Sequence, residues 1–138
     1  EVALDDPVMR MLADPRQPSA RYQDSLWIRL VDVDRALVQR RYAAPVDVVL
    51  EVTDGFCPWN AGRLRLTAPA DARATVQRTT DPADLALDVA ELGAAFLGGP
   101  TLAQLAGAGR VRELTPGAVL AASRAFAGDR PPFCPEGF

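Results

Sequence analysis

The segment Val46-Asp47-Val48-Val49-Leu50-Glu51-Val52 puts Val46, Val48, Leu50 and Val52 at every second position, the period of a strand with one buried face. Arg63-Leu64-Arg65-Leu66-Thr67 repeats the alternation, leucines inward and arginines outward, which predicts an antiparallel strand with one wet face. Arg73 to Thr79 does so again, with Ala74 and Val76 inward. Leu26-Trp27-Ile28-Arg29-Leu30-Val31 is short, apolar and aromatic, and reads as another strand. Asp32 is placed to cap a helix from Val33 to Arg41, closed off by Pro45.

The second half shifts to helical spacing. Asp81-Pro82 predicts an N-cap and the proline that helices favour at their first position, with Asp84 near the positive helix end. Leu85, Val89, Leu92 and Phe96 then form a buried stripe, stopped by Gly98-Gly99-Pro100. Thr101 opens a short helix with Leu102 and Leu105, and Val111-Arg112-Glu113-Leu114 reads as one more strand. Thr115-Pro116 starts a last helix with Val119, Ala122 and Phe126 on its buried side, ending near Gly128. The pattern predicts an α+β fold, a mainly antiparallel sheet of about five strands covered on one side by helices. Ahead of it, a short helical piece from Val8 to Ala13 sits between Pro7 and Pro15, and the run from Asp14 to Ser19 reads as a linker.

Composition removes chemistries rather than adding one. The 138 residues are 49% apolar, enough for a core, and carry a net charge of −3. There is no histidine and no lysine. That excludes a Ser-His-Asp triad, a Cys-His pair, imidazole ligation of a metal and a lysine Schiff base. The acidic balance, with Arg40-Arg41 the densest basic pair, argues against nucleic acid or an anionic membrane as partner. No apolar run approaches the roughly 18 residues of a membrane span, and no signal peptide is visible. A cytoplasmic setting is expected.

Cys57 and Cys134 each precede a proline beside an aromatic residue. They are either two small buried groups or a contact tying the tail to the body; a lasting disulfide is disfavoured in the cytoplasm, and two cysteines alone make no metal site. Gly93, Gly98, Gly99, Gly107 and Gly109 do not follow a strand with phosphate-loop spacing, so no cofactor site is expected in this segment. Asp32, Asp34, Asp81, Asp84 and Asp88 suit helix starts, and Trp27 and Trp59 suit packing rather than ligand stacking. The remaining candidate is the ending Pro131-Pro132-Phe133-Cys134-Pro135-Glu136-Gly137-Phe138. Three prolines stiffen it, Phe133 and Phe138 can anchor it, and it delivers an α-carboxylate beside Glu136. The tail either packs on its own domain or is ordered to present that carboxylate. The start at Glu1, without methionine, fits a processed protein or part of a longer one.

Four segments together are specific: Ser25 to Val33, Leu50 to Asp54, Asn60 to Leu66 and Asp84 to Gly93. They resemble the enhanced-intracellular-survival type of GNAT N-acetyltransferase over essentially the whole chain. The resemblance implies three modules in series: a GNAT domain that binds acetyl-CoA, a degenerate GNAT domain and a sterol-carrier-like C-terminal domain. Residues 1–23 then resemble the tail of the second module and a linker, and residues 24–138 the third. It also implies acetyl transfer to amines of aminoglycosides, lysines or polyamines, on a homo-oligomer. The terminal carboxylate of Phe138 would serve as general base in the upstream GNAT site, with Glu136 drawing a cationic acceptor by its charge. Acetyl-CoA would be held by the upstream domain, and this segment by itself would be inactive. Two other functions remain open: a lipid- or sterol-carrier-like binding module, and a structural domain that builds an oligomer interface.

Overall fold

The computed structural model of the chain describes residues 2–19, 21, 26–70 and 72–135. Its central strand is β1, Val46–Thr53, whose row Val46, Val48, Leu50 and Val52 is buried. Strand β2, Gly62–Ala68, runs antiparallel to β1, setting Leu66 opposite Val48 and Leu64 opposite Leu50. Strand β3, Thr75–Arg78, adds antiparallel to the outer edge of β2. On the other side of β1, strand β4, Leu85–Asp88, runs parallel to it, and β5, Val111–Glu113, returns antiparallel to β4. The order is β3-β2-β1-β4-β5. One parallel pair makes the sheet mixed, and the other pairs make it mainly antiparallel, as the pattern predicts.

Helix α1, Val8–Met11, belongs to the N-terminal segment. The others are α2, Val33–Gln39; α3, Val89–Ala95; α4, Leu102–Gly107; and α5, Ala118–Phe126. Helix α2 lies against β3, α5 against β1, and α4 between β5 and α5. Leu37, Leu92, Leu102 and Phe126, one from each of these helices, join the inward rows of the strands in one continuous buried cluster. That burial supplies most of the drive to close the layers.

The opposite face of the sheet is polar. Arg65 grips Asp47 with Nε at 2.9 Å and Nη2 at 2.8 Å, and reaches Asp81 at 3.0 Å, while Arg63 pairs with Glu51 at 3.2 Å. The bonds from Arg65 hold the Asp47 carboxyl below the usual carboxylate range. The outward arginines are therefore a neutralised sheet surface.

Three expectations about the elements fail. Residues 26–30 form no strand and pair with no strand of the sheet, with Leu26, Trp27 and Val31 exposed. The expected helix from Asp81 begins only at Val89, because Leu85 to Asp88 pair with β1. Leu85, Leu87 and Val89 also recur at every second position, so this stretch satisfies the strand period as well as the helical one. Asp84 fixes the choice: its N–H donates to the Val49 carbonyl at 2.8 Å, and its carboxylate accepts from the Val49 N–H at 2.8 Å. The cap of α3 is Asp88, which accepts from the Ala90 N–H at 3.0 Å. The last helix starts from Gly117 rather than Thr115, and the Glu113 side chain accepts from the Val119 N–H at 2.9 Å. Asp32 and Thr101 cap as predicted, Thr101 in a capping box with Gln104.

Candidate functional site

The segment that fails to become a strand is held in place by side chains. Asp54, just beyond β1, is enclosed and accepts four hydrogen bonds: Arg29 Nη2 at 2.5 Å, the Phe56 N–H at 3.0 Å, the Cys57 N–H at 2.8 Å and Asn60 Nδ2 at 2.9 Å. Burial works against its charge. The Asn60 amide, the Cys57 N–H, the Arg29 guanidinium and the Phe56 N–H outweigh that, holding the carboxyl far below the ordinary carboxylate range. The Asp54 bond in turn raises the pKa of Arg29. Asn60, itself buried, takes the Val33 N–H on Oδ1 at 3.0 Å and donates to the carbonyls of Leu30 and Val31, both at 3.3 Å. Trp59 Nε1 adds a bond to the Val31 carbonyl at 2.8 Å.

This clamp builds one wall of a groove of about 480 Å³. Leu26 to Arg29 form that wall, Val89, Ala90, Gly93 and Ala94 of α3 form the floor, and Pro132, Phe133 and Cys134 of the tail face across it. Arg110 closes one end. It is held by Glu91 of α3 at 2.5 Å, a carboxylate whose residue is only 5% exposed. Arg40 ties the end of α3 to the end of α5. Its Nε donates to the Phe96 carbonyl at 2.7 Å and Nη2 to the Phe126 carbonyl at 2.5 Å, while the guanidinium lies 4.6 Å from the Phe126 ring centre and 5.0 Å from that of Tyr42. Burial lowers the Arg40 pKa, the cost of placing this charge where the ends of α3 and α5 meet. Arg130, at the root of the tail, pairs with Asp5 at 3.5 Å.

The two residues expected to carry the chemistry, Phe138 and Glu136, lie outside the described residues. The tail is described as far as Pro135 and runs along the groove. The two tryptophans correct the sequence reading: Trp27 is 84% exposed and Trp59 is 61% exposed, so neither is core packing. Phe56 is likewise exposed, at 82%, and lies under the Arg29 guanidinium at 5.5 Å. Cys57 is buried behind Asp54, and Cys134 is half-buried in the groove wall. Among the described residues no group of three or more His, Cys, Asp or Glu is arranged to hold a metal ion. No helix among them is long and apolar enough to cross a membrane. The sequence reading missed the Arg29–Asp54–Asn60 clamp. Its one local signal is Asp54-Gly55-Phe56-Cys57, an aspartate placed to accept its own backbone N–H groups two and three residues on.

Among the described residues the ionisable side chains lining the groove are Arg29, Arg110 and Cys134, so these residues can bind and orient but include no carboxylate base. The strand-to-helix junction from β4 to α3 is where a pyrophosphate would be held on free amides. Here Asp88 already occupies it and adds negative charge, so the residues present do not fit the phosphates of acetyl-CoA.

An α+β domain with a single helical layer and a groove at the edge of that layer is the class these observations define. The chain belongs to the sterol carrier protein domain family, whose sequence model matches residues 33–135. Among curated relatives, an uncharacterized N-acetyltransferase of Streptomyces avermitilis is 53% identical over 135 residues, covering 98% of this chain and 33% of the relative. N-acetyltransferase Eis of Mycobacterium tuberculosis is 35% identical over 130 residues, covering 91% of this chain and 31% of the relative. The crystal structure of Eis1 from Mycobacterium abscessus superposes with a TM-score of 0.83 at 40% identity, covering 98% of this chain and 34% of that one. The chain thus spans about a third of the length of the relatives it matches.

Proposed function

We propose that this chain is the C-terminal domain of an acetyl-CoA-dependent amine N-acetyltransferase and supplies both a wall of the acceptor pocket and the base. The carrying observation is that relatives named as N-acetyltransferases match 91–98% of the chain at up to 53% identity. The geometry agrees in kind: the tail runs along a groove whose described lining residues include no carboxylate. In this reading residues 1–23 end a preceding GNAT-like domain, residues 24–138 form the sterol-carrier-like domain, and acetyl-CoA is bound outside this segment. The exposed Trp27, Phe56 and Trp59 give the upstream GNAT domains a surface to cover. The full-length protein acts as a cytoplasmic homo-oligomer, and this segment alone is inactive.

The acceptor is an amine of an aminoglycoside, a lysine or a polyamine. The Phe138 carboxylate takes a proton from the amine as its nitrogen attacks the thioester carbonyl. The N–C bond forms, the C–S bond breaks, and the coenzyme A thiolate leaves to be protonated. Glu136 adds negative charge that draws the cationic acceptor and raises the basicity of the neighbouring carboxylate. Deleting Phe138, or extending the chain beyond it, in the full-length protein is expected to lower turnover by about 10²–10⁴-fold with the circular dichroism spectrum unchanged. Full turnover in an extended variant would remove the proposal.

A further inference from the structure

Five glycines that fail as a phosphate loop fall into two groups. A Cβ on Gly107 or Gly109 would meet nothing within 4 Å. A Cβ on Gly93 would lie 2.9 Å from the Ile28 carbonyl oxygen. One on Gly98 would lie 2.7 Å from the Gly128 nitrogen, and one on Gly99 would lie 3.3 Å from Pro132 Cγ. The first of these contacts sets the wall that carries Trp27; the other two set the root and course of the tail. Gly98 also has φ +79°, a conformation that side chains resist. All three sit on or just after α3, the floor of the groove.

We propose that Gly93, Gly98 and Gly99 are positioning residues that fix the two walls of the groove against α3, and so set the distance between bound acceptor and tail carboxylate. The catalytic part rests on the function proposed above; the geometric part does not. Backbone cannot slide past a Cβ at 2.7–2.9 Å, so an added methyl at Gly93 or Gly98 displaces the opposing chain. Displacing the tail misplaces the base while leaving the acceptor wall intact. Displacing residues 26–29 does the reverse. Misplacement of a reacting group by about 1 Å can cost on the order of 10²-fold in rate.

The test uses the full-length protein with acetyl-CoA, and kanamycin and spermine as acceptors. G98A and G99V are expected to lower kcat about 10–100-fold with acceptor KM changed less than about 3-fold. G93A is expected to raise acceptor KM about 10-fold with kcat nearly kept. G107A, where the added methyl meets open space, should match the parent. A second readout needs no turnover: iodoacetamide alkylation of Cys134, read by peptide mass spectrometry against buried Cys57, should accelerate severalfold in G98A and G99V and stay unchanged in G107A. Equal Cys134 rates in G99V and G107A would overturn the proposal, even if G98A fails to fold. Faster alkylation with undiminished kcat would leave the cradle standing and remove the base. Lost kcat with unchanged alkylation would overturn the cradle alone.

Discussion

Asp54 shows how one enclosed carboxylate replaces a strand. It gathers a guanidinium, two backbone N–H groups and the Asn60 amide, and through Asn60 and Arg29 it fixes residues 29–33 beside the groove. Its folded pKa lies below the unfolded value of about 3.9, so the stability it contributes is complete above that pH and is lost as pH falls through the folded pKa. Replacing it by asparagine turns an acceptor into a group whose amide faces donors. D54N is therefore expected to melt several degrees below the parent at pH 7, and the gap should narrow as pH drops below about 4. A constant gap in melting curves between pH 7 and pH 2.5 would show that the charge is not what the site uses. Asp54-Gly55 is legible in the sequence as a turn. Its role as a clamp is not, because Arg29 lies 25 residues away and nothing in an apolar run tells a strand from a tethered loop.

At the scale of elements, the legible parts are those with a single period. The β1 and β2 alternations and the helix start at Thr101 leave one interpretation each, and the structure follows it. The stretch from Leu85 to Phe96 carries two periods at once, and the sheet decides between them: a parallel partner for β1 buries Leu85 and Leu87 and satisfies Asp84. That assignment makes Asp88, not Asp81, the helix cap. Asp88 also accepts from Thr53 Oγ1 at 2.8 Å, linking β1 to the start of the groove floor. D88A is expected to cost about 1 kcal/mol in urea unfolding, the usual loss of an N-cap. D81A should cost clearly less, because Arg65 keeps its two bonds to Asp47. Equal losses would return the helix start to Asp81. The groove was less legible than either strand. Its walls come from residues 26–29, 89–94 and 132–134, three segments that no local spacing connects.

For the whole molecule, the deciding question is whether the family's fold is used here to carry lipid. A carrier needs an apolar void between sheet and helices. In this chain Leu50, Leu64, Leu66, Leu85, Leu92, Leu102 and Phe126 fill that space, each buried against the others. The groove lies instead at the edge of the helical layer, open to solvent and flanked by the fixed charges of Arg29 and Arg110. An acyl chain entering the interior would have to displace side chains packed at crystal-like density, at a cost of about 1–3 kcal/mol for each methylene-scale intrusion. Titrating the full-length protein with a dansyl-labelled fatty acid is therefore expected to give no saturable binding in the micromolar range. Saturable binding retained in a Trp27→Ala variant would place the ligand between the layers and favour the carrier. Binding abolished by that variant would place it in the groove, where it should compete with an amine acceptor and lower turnover in the same concentration range. The filled core, the neutralised outer face and the groove at the edge of the helical layer all point the same way: the space between sheet and helices is taken up by side chains, and the open concavity lies beside it.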